Sequence, residues 1–300
     1  MLTREKELTE ETIGEDQTDM RGVRYEEDGV ASAVGAILAI LIFIFLLSLF
    51  VTSYVPAEMT SYEEQYSSAL TNEIMQFSSS MNLLSLNYQQ GETMSVTFDL
   101  QSGYVPLFSS PTTGELSLSS SSNGSAGYIA ISNSRSTVTA GGVLTVLTNN
   151  RYFVDEALIY ELSNTYYEQY GSSPLINSTL AFNLLQVNPP TNGSINLSMN
   201  LVNMMGGPLS ISSQSPFSLT TTALSKETYQ LNGNITLTYS SIIGSELYDS
   251  LQEKMANLKG VTLSYYNEGN GNDRISIGSS SAQLSLSITV LTVMVDVNGS

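Results

Sequence analysis

The sequence predicts a mainly β chain: an N-terminal transmembrane helix and helical stalk, followed by an antiparallel β-sandwich or jelly-roll-like ectodomain with one short helix. Three observations predict it. No charged residue occurs between Asp28 and Glu58. Apolar residues then recur at spacings of three and four from Met59 to Leu84. From Thr93 onward they alternate with Ser, Thr or Asn at a period of two, as in half-buried strands.

Residues 1–28 mix Glu, Asp and Thr with few apolar side chains. Such a segment buries too little surface to offset its ordering entropy, which predicts a disordered, acidic cytoplasmic tail. Residues 29–55 follow as the transmembrane helix, apolar on every side and long enough to cross a hydrocarbon core of ~30 Å. A cleaved secretory signal has a shorter apolar core of about 7–15 residues behind a basic start, and neither feature is present. Arg21 and Arg24 precede the span, and no Lys or Arg follows it until Arg135. The positive-inside rule therefore keeps the N-terminus in the cytoplasm and exports everything from Pro56 to Ser300.

The stalk is expected over residues 56–90. Met59, Tyr62, Tyr66, Ala69, Leu70, Ile74, Phe77, Met81 and Leu84 form one stripe, and Gly91 stands just past its end. Two roles fit the stripe: packing on the domain that the stalk carries, or assembly with copies of itself. Pro56 fits either a helix start or a kink in one continuous with the span.

Residues 91–300 form the extracytoplasmic β-rich domain. Segments such as Val96-Thr-Phe98, Leu116-Ser-Leu118, Ile235-Thr-Leu237-Thr-Tyr239 and Leu284-Ser-Leu286-Ser-Ile288 are separated by Asn192-Gly193, Asn232-Gly233 and similar turn pairs. Leu247, Leu251, Met255 and Leu258, stopped by Gly260, predict a helix covering one face or end of the sheets. The long apolar strand from Gln283 to Val297 belongs in a sheet centre. Asn188-Pro-Pro190 should break strand pairing, which allows two subdomains divided near 188–192.

Composition leaves little reactive chemistry. The chain has no Cys, no His and no Trp, and charged residues are 13% of it, against a typical ~25%. The commonest general base, the usual nucleophile pairings and zinc's preferred ligands are thereby gone. No catalytic residue, cofactor or metal is assigned, and the chain is expected not to be an enzyme. A net charge of −18 excludes nucleic acid as an expected partner. Asp155, Glu156, Glu161 and Glu168 are the densest acidic cluster; on a strand, neighbouring Asp155 and Glu156 would face apart rather than converge as glycosidase carboxylates must. The loop Glu268–Asp273 has oxygen ligands and glycines, but departs from the calcium-loop spacing and reads as a hairpin turn.

Two surface features remain. Tyr166, Tyr167, Tyr265 and Tyr266 are candidate binding aromatics, although on a strand one of each pair normally faces the core. Six Asn-x-Ser/Thr sequons, at Asn123, Asn177, Asn192, Asn196, Asn234 and Asn298, lie on the exported side and are candidate N-glycosylation sites.

The stretch Gly29-Val-Ala-Ser-Ala-Val-Gly35-Ala-Ile-Leu38 resembles the start of archaeal type IV pilin-like proteins, which commonly read Gly-Val-Ser-Pro-Val-Ile-Gly-Val-Ile-Leu. The resemblance implies cleavage by a prepilin-type peptidase near Gly29 and Val30 and packing of the apolar helix into a filament core. Here Glu26, Glu27 and Asp28 stand where the family has basic residues, and the family's Pro is absent. Asn149-Asn-Arg-Tyr-Phe-Val-Asp-Glu-Ala-Leu-Ile-Tyr-Glu161, with Tyr167-Glu-Gln-Tyr-Gly171 and the later Tyr239-Ser-Ser, looks like segments of archaeal membrane-anchored surface proteins. The functional expectation is a single-pass cell-surface or envelope protein, pilin-like and structural. Its partners would be membrane lipid and, through the transmembrane and stalk helices, further copies or other envelope proteins. The alternative is a tethered module that binds a glycan or a partner.

Overall fold

The computed structural model describes residues 30–120, 127–169, 176–191, 194–240, 244–256, 258, 260–267, 273–279 and 283–298, and gives backbone alone at 176–179, 181–182, 189–191, 244–247, 250, 267 and 298. The chain divides into two compact units, Met1–Glu58 and Met59–Ser300.

In the first unit, residues 30–49 are α-helical and Phe50–Tyr54 form a π-helical turn, in which Val55 N–H bonds to the Phe50 carbonyl five residues back. Pro56 explains the turn. It has no N–H for the carbonyl four residues before it, and its ring clashes there, so one extra residue is accommodated locally instead of breaking the helix. Helix continues from this point as α1 (Val55–Leu86), and helical residues run without interruption from Val30 to Leu86. Of the two sequence readings of Pro56, the structure shows the continuous helix.

The second unit is β-rich, and its described residues form three sheets. The first has the order β1 (Thr93–Phe98), β12 (Phe217–Asn232), β16 (Gln283–Asn298), β10 (Ser194–Met205), β9 (Leu185–Thr191). The second has the order β11 (Leu209–Ile211), β2 (Glu115–Ser120), β5 (Gly142–Leu147), β6 (Glu156–Glu161), β7 (Asn164–Gln169), β8 (Ile176–Phe182). The third has the order β14 (Val261–Asn267), β15 (Asp273–Ser279), β13 (Ile235–Ser240), β3 (Tyr128–Ser132), β4 (Thr137–Ala140). Helix α2 (Gly244–Met255) is the one further helix among the described residues.

Two cores share the first sheet. Leu284, Leu286, Ile288 and Val290 of β16 join β3, β13, β15 and α2 residues in one of them, whereas Leu291, Val293 and Val295 join α1 and the second sheet in the other. Because side chains alternate along a strand, the change from even to odd positions moves the buried set to the opposite face. Strand β10 changes at the same level, between Leu201 and Val202, which pair with Val290 and Leu291. In β12 a register shift between Ala223 and Ser225 carries the same change.

The Met59–Leu84 stripe is the α1 side of its core: Leu70, Ile74, Phe77, Met81 and Leu84 are all buried there. Phe77 meets Tyr160 edge-on, with ring centroids 5.1 Å apart. Ala69, the one member of the predicted stripe on the wrong side, is exposed. The turn before β5 fixes the first sheet against the second. Met204 N–H donates to the Gly141 carbonyl at 2.8 Å. Gly142 sits at φ +118°, and a Cβ there would lie 2.7 Å from the Met204 Cβ.

Strand β16 is central, as its apolar run predicts. Its pairing with β10 is parallel, which nothing in the local sequence signalled. Asn188-Pro-Pro190 departs from expectation. The two prolines lie inside β9, an edge strand, and the ladder steps from Thr191↔Ser194 to Asn188↔Asn196 past them. Lacking N–H donors, they produce a local irregularity at an edge, where prolines are tolerated, rather than a strand end. Strands from both sides of 188–192 share the first sheet.

Candidate functional site

Among the described residues, most of the exposed large hydrophobic side chains lie on the apolar span. Every side chain from Val30 to Leu49 is exposed, and the best 18-residue window has mean hydropathy 3.1 with none of it buried. Val30 begins the described helix, while Gly29 lies outside the described residues.

In the second unit, the first turns of α1 organise two loops. Glu63 is fully buried, and its carboxylate accepts the backbone N–H groups of Arg151, Tyr152 and Phe153 at 2.7–3.1 Å. A buried carboxylate is tolerated only when its oxygens are this well supplied with donors. Thr60 Oγ1 donates to the Tyr152 carbonyl at 3.4 Å. The second loop, 103–110, is held by Ser109, whose Oγ accepts Val105 N–H at 2.8 Å and lies 3.0 Å from Met59 Sδ. Arg151 Nη1 donates to Ser110 Oγ at 3.2 Å and ties the loops together. Sequence reasoning missed both loops. The uncharged Tyr104-Val-Pro-Leu-Phe108 between turn residues was the available signal for one; for Glu63 no local signal existed.

The four predicted tyrosines do not form a common face. Tyr166 and Tyr167 lie on β7, and each side is occupied: Tyr166 is buried with its hydroxyl accepting from Asn164 Nδ2 at 2.9 Å, and Tyr167 donates to Glu156 Oε1 at 2.7 Å. Tyr265 packs at 4.9 Å on Tyr248 of α2, and Tyr266 beside it is 59% exposed. Tyr239, on β13 of the third sheet, is fully buried, and its phenol is pushed well up by burial first and then by Asp273, Tyr265, Tyr166 and Glu161 nearby.

The acidic cluster is likewise dispersed. Asp155 is exposed and accepts Asn150 N–H at 2.7 Å. Glu156 is buried toward α1, where Ser67 and Tyr167 donate to it, and burial raises its carboxyl despite the Tyr167 bond. Glu161 lies an odd number of residues along the same strand and so points to the opposite face. Glu168 is half-buried on β7, opposite Ala157. Among the described residues no group of three or more acidic side chains is placed to hold a metal ion. The loop 268–272 lies outside them.

Of the sequons, Asn234 is exposed in the turn between β12 and β13, and Asn196 is half-buried on β10. Asn123 and Asn192, and the side chains of Asn177 and Asn298, lie outside the described residues. A cleft of about 290 Å³ near the end of α1 brings together Asn82, Asn183, Gln186, Asn200 and Lys226. Lys226 Nζ donates to the Ser85 carbonyl at 2.6 Å, where a cation is favoured at the negative end of the helix.

Comparisons with protein-family models, with curated proteins and with solved structures returned no match. The pilin-like and surface-protein resemblances therefore rest on their own segments alone.

Proposed function

We propose that the chain is a non-enzymatic single-pass surface or envelope protein, with a cytoplasmic N-terminus and an exported β-rich unit, acting as a pilin-like structural or minor filament component. The observation that carries this reading is the helix 30–49, apolar on all sides and uncovered by the chain's own fold. An apolar surface of that size requires hydrocarbon or other apolar helices around it. The α1 stripe supports the same division of labour. It is spent on the β unit, so the part of the helix left for lipid or for copies of itself is the span.

Membrane extraction at alkaline pH and the intact mass of the mature chain test the reading. Retention in the membrane pellet with a mass beginning at Val30 is the pilin-like outcome. A mass beginning at Met1 removes the processed-filament form and leaves the anchor; recovery in the soluble fraction removes both.

A second reading, a tethered module for a polar ligand such as a glycan, is favoured by the amide-lined cleft at Asn82, Asn183, Asn200 and Lys226. Amide groups offer both donors and acceptors to hydroxyls. A glycan array probed with the full chain and with Asn200→Ala tests it, and identical patterns, or none, end it.

A further inference from the structure

We propose that loop 103–110 is a second, peripheral membrane contact, with Tyr104, Leu107 and Phe108 seated in the lipid headgroup region of the leaflet from which the span emerges. This inference rests on the membrane-anchor reading and adds to it a surface on the β-rich unit.

The loop turns apolar side chains outward. Val105 is its inward anchor, buried, and its carbonyl accepts Phe108 and Ser109 N–H at 3.1 and 3.0 Å. Tyr104, Pro106, Leu107 and Phe108 are exposed, and Leu107 is 99% exposed. Leu107 also sits at φ +70°, a conformation costing an L-residue with a Cβ roughly 1–2 kcal/mol. Within the fold this Leu therefore accepts backbone strain and gains no packing. Such a combination points to a partner outside the fold.

Covalent connection identifies the partner as lipid. The charge-free stretch ends at Glu58, and Met59 follows it. Four residues from Val55 reach at most about 14 Å, at ~3.6 Å each, which bounds how far from the end of the span the second unit can begin. The loop is tied to that point: Ser109 Oγ lies against Met59 Sδ, and Gly103 approaches Tyr62 so closely that a Cβ would lie 2.7 Å from the ring. The headgroup zone extends roughly 5–7 Å beyond the hydrocarbon on each side. Tyr side chains suit that zone, with an apolar ring and a polar tip. Exposed Tyr152 and Arg151 of the neighbouring loop, joined to 103–110 through Ser110, supply a further aromatic and a cation for lipid phosphate.

The absence of native Cys allows single-site labelling of the full chain. Ser110→Cys, Gln90→Cys and Ile40→Cys, each carrying an NBD fluorophore, are reconstituted in phosphatidylcholine vesicles with nitroxide on the upper acyl chain. The label at 110 is expected to lose at least about half its emission, as befits groups ~5–10 Å into the interface, and more than the label at 90, which lies outside the loop, loses. Adding Leu107→Asp with Phe108→Asp should return position 110 to the level at 90. Quenching at 40 but not at 110 overturns the loop contact and leaves the anchor; a 110 signal indifferent to the two Asp substitutions also overturns it. No quenching at 40 removes the anchor reading itself.

Discussion

Leu107 combines positive φ with almost complete exposure, so Leu107→Gly should relieve strain without losing any contact within the fold. A gain of about 1 kcal/mol in detergent is expected, since Gly occupies this region freely; a chemical-denaturation midpoint measures it. Glu73 raises a different residue-level question. Its Oε2 accepts Asp99 N–H at 3.2 Å, yet its carboxyl is pushed up from 4.5 to about 7, chiefly by burial, with the Asp99 bond acting downward and the Asp99 charge upward. The folded chain therefore binds this proton more tightly than the unfolded one. Stability contributed at Glu73 is fully present below about pH 4.5, falls as pH rises to about 7, and is constant above. Glu73→Gln should flatten that part of the pH profile, seen as a smaller midpoint difference between pH 5 and pH 8 than in the parent chain. An unchanged difference would show that Glu73 does not carry it.

Among the elements, the opening turns of α1 are bound to loop 149–155 through one carboxylate. Glu63→Ala leaves three part-buried backbone N–H groups without their acceptor, and an unpaired group costs about 1–3 kcal/mol when water cannot reach it. Loss of several kcal/mol, with faster amide exchange at Arg151, Tyr152 and Phe153, is the expected outcome. Loss of stability without faster exchange there would place the role of Glu63 elsewhere. Elements differ in how far sequence could specify them. The span and the strands were legible because each has a local period: unbroken apolarity, or alternation at two. The α1 stripe was legible for the same reason, with Ala69 astray because its small side chain cannot mark a face. The hairpin joining β6 and β7 was not. It turns through Leu162 and Ser163, both at positive φ, where sequence rules look for Asn-Gly. The tyrosine pairs follow strand alternation: Tyr265 packs on Tyr248 while Tyr266 is exposed, and on β7 Tyr166 is buried while Tyr167 is half-buried and bonded to Glu156.

For the whole molecule, the decisive features were pairings between distant segments, such as β1 with β12 and β10 parallel to β16. No local pattern encodes these, because a strand's alternation states that one face is buried and not against what. The shared first sheet has a thermodynamic consequence. Since β10, β12 and β16 run through both cores, neither core can open without disordering strands of the other. Phe77→Ala and Leu237→Ala, one in each core, should each cost about 2–5 kcal/mol and lower the midpoint of one common transition. Two separable transitions would contradict the shared-sheet account.

The central claim is that 30–55 crosses a membrane and leaves the β-rich unit outside. The most direct measurement is cysteine accessibility in intact cells expressing the full chain, with Gln90→Cys and Thr18→Cys as single reporters and a membrane-impermeant maleimide. The account predicts labelling at position 90 in intact cells and, in chains that retain the segment before Val30, at position 18 only after lysis. Labelling at 18 with protection at 90, or protection of both until lysis, would contradict it.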